Sequence, residues 1–369
     1  MQHDDVNYSV EVNSADGGTA TGIGGSFSNI GTISGGSMDD SIDLNGGTLS
    51  GSLDGGAGGN NSLTLDDVAN SVEVTGADSG TATGITGGFS NIGNVTGGSS
   101  TDDIDLNGGT LTGAVDGAGG TNSITLDDVA NTVEVTDDES GTATGFGAGF
   151  SNVGNFTGGS NTEDFDLNGG TLSGNIDGAT GANSLTLDDV LNEVEVTSAD
   201  GGTATGIGGA FSNIGSVTGG SSEDEFDLNG GTLSGALDGA GGDDELTLDD
   251  VANTIEVTGA NSGTATGVTG GFSSVENING GSSTDDFDLN GGTLSGDIDG
   301  MGGANSLTLD DVANTVNVTT DDAGTATGIG GSFSNIADFT GGSDTDEFTL
   351  DGGTISGSVD GAGGVNTVN

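Results

Sequence analysis

Thr64–Gly120 reads TLDDVANSVEVTGADSGTATGITGGFSNIGNVTGGSSTDDIDLNGGTLTGAVDGAGG, and with a few letters changed it recurs down the chain. Leu65, Leu126, Leu187, Leu248 and Leu309 each open a Leu-Asp-Asp-Val run, and the interval between them never varies. Six repeats, at approximately 1–64, 65–125, 126–186, 187–247, 248–308 and 309–369, fill a single repeat domain with no linker. Short repeats of this kind bury their apolar face only by stacking on their neighbours.

Inside the repeat lies a shorter period. Ile85, Leu106, Leu126 and Phe146 divide it into nearly equal thirds. Each of the first three closes a strand-like triplet: Thr83–Ile85, Ile104–Leu106 and Ile124–Leu126. A second apolar pair follows each anchor, and a Gly-rich turn such as Gly97-Gly98-Ser99 precedes each triplet. Alternation in Ile104-Asp105-Leu106 and Val133-Glu134-Val135 has period 2, one face inward and one outward. The expected fold is all-β: a β-solenoid, parallel β-helix-like, of about 18 coils of about 20 residues, three coils per 61-residue repeat. Glycine supplies positive-φ corners, and the absence of proline leaves every amide free to join an inter-coil ladder. An array of β-sandwich modules, one per long repeat, is the competing architecture. The shorter sub-period and the shortage of bulky core residues count against it.

Composition restricts function. The chain has 58 Asp and Glu, no Lys or Arg, no Cys, and a formal charge of −58. Such a polyanion excludes nucleic-acid binding. One histidine, His3, and no other cationic side chain leave nothing to stabilise a developing anion, so no enzyme is expected. No apolar run approaches the ~20 residues of a membrane-spanning helix. Met1–Asp5 carries no basic or apolar leader segment, so no signal peptide is expected.

Thr96-Gly-Gly-Ser-Ser-Thr-Asp-Asp-Ile-Asp-Leu106 and Asp116-Gly-Ala-Gly-Gly-Thr-Asn-Ser-Ile124 resemble the Gly/Asp-rich turns of hemolysin-type (RTX) calcium-binding repeats. With Val72-Glu-Val-Thr, Thr81-Ala-Thr-Gly and Phe89-Ser-Asn-Ile, they resemble the "beta strand repeat" arrays of giant bacterial surface and secreted proteins. The resemblance implies an extracellular or cell-surface stalk, adhesin or matrix component, and calcium as a cofactor. RTX coils hold two nonapeptides with an Asp in each turn. Here Asp102-Asp103 aligns with Asn122-Ser123 and Thr81-Ala82, so the acid recurs in one coil of three. Equal coils would then dilute like charges along each column.

The densest acid clusters are the candidate Ca²⁺ ligands. They are Asp102, Asp103 and Asp105; Glu163, Asp164 and Asp166; Asp224, Glu225 and Asp227; and Asp285, Asp286 and Asp288. Asp103 and Asp105 share an outward face if Ile104 and Leu106 point in. Calcium takes six to eight oxygens, which carboxylates, turn carbonyls and water supply together. The alternative is a solvated acidic edge that only condenses cations diffusely. Stacked at ~4.8 Å per coil, the charges approach the ~1.7 Å spacing of duplex DNA.

The expected function is a structural fibre or matrix protein that assembles head to tail with copies of itself. Gly363–Asn369 aligns with the segment preceding Leu309, and Asp4-Asp5-Val6 with the segment after it. Asp4, Asp5 and Val6 at one end and Val365, Thr367 and Val368 at the other are therefore the expected joint. Alternatives are the stalk of a large adhesin and, from Thr81-Ala82-Thr83, an ice-binding solenoid.

Overall fold

The computed structural model describes residues 6–369; Asp4 and Asp5 lie outside the described residues. Among these are 42 short strands and no helix. The chain is a β-solenoid, and it divides into two compact units: 1–183 with 206–210, and 184–205 with 211–369.

In the first unit the chain shuttles between two mostly parallel sheets, placing one strand in each per coil. Ile42 pairs with Leu63, and Val95 with Val115. In the opposite sheet Ile104 pairs with Ile124, and Phe156 with Ile176. These partners are separated along the chain by the sub-period legible in the sequence. The inward column of one sheet runs Val10, Ile42, Leu63, Val95, Val115, Phe150, and every member is buried. Side chains of the two sheets meet between them. Phe150 and Phe165 flank Phe156 edge-on, with centroids 4.9 and 6.4 Å away. Complete burial of a side chain such as Phe156 contributes about 1.5–3 kcal/mol.

The third segment of each repeat is not a third coil. Ser71–Gly76, Ser79–Ala82 and Ile85–Ser90 form an antiparallel meander within one sheet. It runs backwards. Phe89, in its last strand, pairs in parallel with Leu53 of the preceding coil, and Val72, in its first, pairs with Ile104 of the next. The meander is thus inserted between two coils. It lengthens the chain between parallel partners, as in the pairs of Leu63 with Val95, Val72 with Ile104 and Val115 with Phe150. Ile85 therefore bridges to Leu49 and Phe146 to Leu111, instead of stacking on Leu106 and Leu126.

Local chemistry explains the reversal. Ala77-Asp78 is a two-residue turn with Asp78 at φ 51°, a conformation that acidic and amide side chains tolerate. Gly80 follows. A Cβ there would collide with the Glu73 carbonyl oxygen, so the middle strand lies where only glycine fits.

The chain crosses between sheets an odd number of times in each repeat, so successive meanders fall on opposite sheets. In the first unit, strands Ser9–Ser14 and Asn131–Asp137 open meanders in one sheet and Ser71–Gly76 in the other. The second unit follows the same plan. Its meanders open at Asn192–Ser198 and Thr315–Thr320 in one sheet and at Thr254–Gly259 in the other.

Gly80→Ala should destabilise the first unit by about 1–3 kcal/mol through overpacking. Gly59→Ala, where a Cβ meets nothing within 4 Å, should be near neutral. Thermal or denaturant melts of the two variants check this.

Candidate functional site

The twelve candidate acids divide by strand parity. Asp102, Glu163, Asp224 and Asp285 point inward and are buried; Asp103, Asp164, Glu225 and Asp286 are exposed. Asp105, Asp166 and Asp288 are half-buried on the outer face, and Asp227 is exposed there.

The inward acids sit at a corner of the coil, each in a buried polar relay. Asp102 Oδ1 accepts from the Asn70 amide (2.9 Å) and from Asn70 Nδ2 (2.7 Å), and Oδ2 accepts from the Gly98 amide (2.8 Å). The Asp102 amide donates to Asn122 Oδ1 (2.9 Å), and Asn122 Nδ2 donates to the Asn152 carbonyl (2.8 Å). Asp285 repeats the pattern between Asn253 and Asn305. These carboxylates are occupied by the protein's own donors. Glu163 fits less well. Its Oε1 takes longer bonds from Asn131 Nδ2 and the Gly159 amide, both 3.2 Å, and Oε2 has no partner. Burial raises its pKa, outweighing those two bonds.

The outer acids form pairs that a run of equal coils does not produce. Asp105 pairs in register with Glu73 of the meander on one side and with Thr125 of the next coil on the other. The meander thus lays Glu73 beside Asp105. The dilution expected along each column fails at this point: two acids are adjacent. Glu11 with Asp43, Glu134 with Asp166, Glu195 with Asp227 and Glu256 with Asp288 repeat the juxtaposition. At ~4.8 Å two such charges repel by about 0.9 kcal/mol even in water. Burial, then Asp103, Glu73 and Asp127, push the Asp105 carboxyl up; burial, then Glu11, Asp66 and Asp67, do the same to Asp43. One oxygen of each Glu is held by a turn amide, as Asn107 Nδ2 holds Glu73 Oε1 (2.6 Å).

Other acids act as turn acceptors. Asp127 of a Leu-Asp-Asp-Val run accepts from the Gly108 and Asp128 amides. Asn91, in the left-handed region at φ 54°, donates to Asp54 Oδ1 (2.7 Å) and turns the chain. Thr83 Oγ1 accepts from the Ser71 amide (2.9 Å) within the meander. Among the described residues no three Asp, Glu or His side chains are grouped as a metal would require. The outer surface presents paired carboxylates flanked by hydroxyls.

No protein-family model matches the chain, and no curated protein matches it. Fold and site together define an acidic β-solenoid repeat protein, a class drawn from its own geometry.

A carboxyl whose pKa is higher folded than unfolded contributes stability at low pH and loses it as pH rises through the folded value. Asp105, Asp43, Asp227 and Asp288 all shift upward. The melting temperature should therefore fall as pH rises from the ordinary carboxylate range toward neutrality. Asp105→Asn should raise it at pH 7 and low salt, and by less at 1 M salt, where screening removes the repulsion. By contrast, Asp102→Ala should cost about 1–3 kcal/mol or more, because the Asn70 and Gly98 donors lose their buried acceptor.

Proposed function

We propose that this protein is a non-catalytic structural element of an extracellular fibre or matrix, an acidic solenoid that adds copies of itself end to end and whose surface holds cations. The observation that carries this reading is the edge at Thr367–Val368. This strand pairs in parallel with Glu347–Phe348 on one side, while Val365 and Val368 are 78 % and 62 % exposed. An apolar strand edge is a template for a further strand. The Thr367 amide donates to the Asp346 carbonyl and the Asn369 amide to the Phe348 carbonyl, so the Val368 amide faces the open side. One more coil, from a second copy, continues the ladder there. A continuation of the same array within one longer polypeptide covers the edge equally well, and that is the stalk reading. The extracellular setting rests on the resemblance to surface and secreted repeat arrays.

Cations belong to this function because the charge that repels copies from one another also lies in the acid pairs. Calcium, bridging carboxylates and water, lowers both repulsions.

Electron microscopy in millimolar Ca²⁺ should show particles longer than one chain, shortening when EDTA is added at matched ionic strength. Val365→Asp combined with Val368→Pro removes the apolar edge and the outward amide while sparing the inward bonds. That variant should stay folded and one chain long. Wild-type particles of one-chain length under every condition would favour the stalk, and normal assembly of the variant would place the joint elsewhere.

A further inference from the structure

One relay departs from the others at its closing residue. Asn61, Asn122, Asn183, Asn305 and Asn366 close the relays of five repeats, and the fourth repeat has Asp244 in their place. The amides of Asn61, Asn122 and Asn305 donate through Nδ2 to the carbonyls of Asn91 (2.9 Å), Asn152 (2.8 Å) and Asn335 (2.9 Å). Asp244 keeps the rest of the arrangement. Its Oδ1 accepts from the Asp224 amide at 2.8 Å, as Asn122 Oδ1 accepts from the Asp102 amide. Its Oδ2 sits beside Gly239 and the Ser274 carbonyl oxygen, the place that Asn122 Nδ2 takes beside Gly117 and the Asn152 carbonyl oxygen. Asp244 is fully buried, and Oδ2 has no partner.

We propose that Asp244 is a proton-operated latch: as the neutral acid its Oδ2–H donates to the Ser274 carbonyl, as the asparagine amide does in other repeats, and ionisation opens that corner. An ionised Asp244 faces a carbonyl oxygen with a second unshared acceptor. Every titratable group around it is acidic. Asp224 faces it from the preceding coil, Glu276 from the following one, and Asp243 is its chain neighbour. Glu276 stands where other repeats have Gly31, Gly93, Gly154, Gly215 or Ala337, and its Oε2 accepts from the Asp244 amide (2.8 Å). The chain contains no Lys or Arg to neutralise the cluster. Burial, then the charges of Asp224, Glu276 and Asp243, raise the Asp244 pKa to about 7 against one opposing bond from the Asp224 amide.

A metal ion is a poorer occupant than a proton. Asp224 Oδ1 accepts from the Asn192 amide and Nδ2, and Oδ2 from the Gly220 amide. Glu276 Oε1 accepts from Asn261 Nδ2 and Oε2 from Asp244. Only Asp244 Oδ2 remains, too few oxygens for a cation that takes six to eight.

The test follows amide exchange in the full chain, comparing wild type with Asp244→Asn from pH 4 to pH 9. The readouts are peptides spanning 237–250 and 272–280, with exchange corrected for its intrinsic pH dependence. The group binds a proton in the fold but not when opened between its ordinary value and about 7. Wild-type protection relative to the variant should therefore fall about tenfold per pH unit across that window and then level off. Asn305→Asp, the reciprocal change, should impose the same slope on the peptide spanning 298–310. Parallel profiles for wild type and Asp244→Asn would overturn the proposal, as would an Asn305→Asp variant without pH dependence. Recovery of wild-type protection at pH 8 by Ca²⁺, but not by Na⁺ at equal ionic strength, would overturn it in favour of a cation.

Discussion

The buried relay at Asp102 is the interaction on which the fold depends. It spans the two sequence intervals that build the ladder. Asn70 precedes Asp102 by one meander and two crossings between the sheets, and Asn122 follows it by one coil, so Asp102, through its carboxylate to Asn70 and its backbone amide to Asn122, ties the first meander strand to the next two coils. A chain with 58 acids and no Lys or Arg cannot bury a carboxylate against an opposite charge. It uses amide donors instead, and three such bonds to Asp102 keep its buried oxygens from being left unpaired. Glu163 shows how closely the corner is fitted to aspartate. One extra methylene lengthens the bonds to 3.2 Å, strands Oε2 and pushes the carboxyl toward its neutral form.

The period, the two faces and most of the inward residues are legible in the sequence. The meander is not, although its signals are present. Ser79-Gly80-Thr81-Ala82 has almost nothing apolar to bury, which suits a middle strand between two others better than the wall of a coil. Ile85 and Phe146 fall at coil-like spacing only because the meander uses nearly the same length of chain as a coil. Spacing along the chain does not record a reversal of direction, and the pairing of Glu73 with Asp105 was hidden with it. Part of the acidic site could have been read by parity alone. Asp102 shares the parity of Ile104 and Leu106, so it faces inward with them, while Asp103 and Asp105 face outward. What parity cannot supply is the donor set, because Asn70 and Gly98 reach Asp102 only through the fold.

The meander creates an electrostatic difficulty and also limits it. It brings two acids into neighbouring strands. Because each repeat changes sheet, however, the next such pair falls on the opposite face. In the first unit Glu11 with Asp43 and Glu134 with Asp166 share a face, while Glu73 with Asp105 lies on the other. Six strand steps separate the strand of Asp43 from that of Glu134, through Leu63, Val95, Val115, Phe150 and Gly141. At ~4.8 Å per step this is about 29 Å, nearly three Debye lengths at 0.1 M salt. Same-face pairs are therefore electrostatically independent.

That independence decides what kind of charged surface the protein presents. A continuous ladder of carboxylates, one per coil, would bind divalent ions cooperatively, and the fold would depend on them throughout. Here the steps next to the pair carry hydroxyls: Thr81 beside Glu73, and Thr125 then Thr157 beyond Asp105. Each pair can lose or gain a proton while neighbouring coils keep their packing. The core of Val, Ile, Leu and Phe columns and the amide-held corners carry the fold. The acid pairs adjust its stability locally, one repeat and one face at a time.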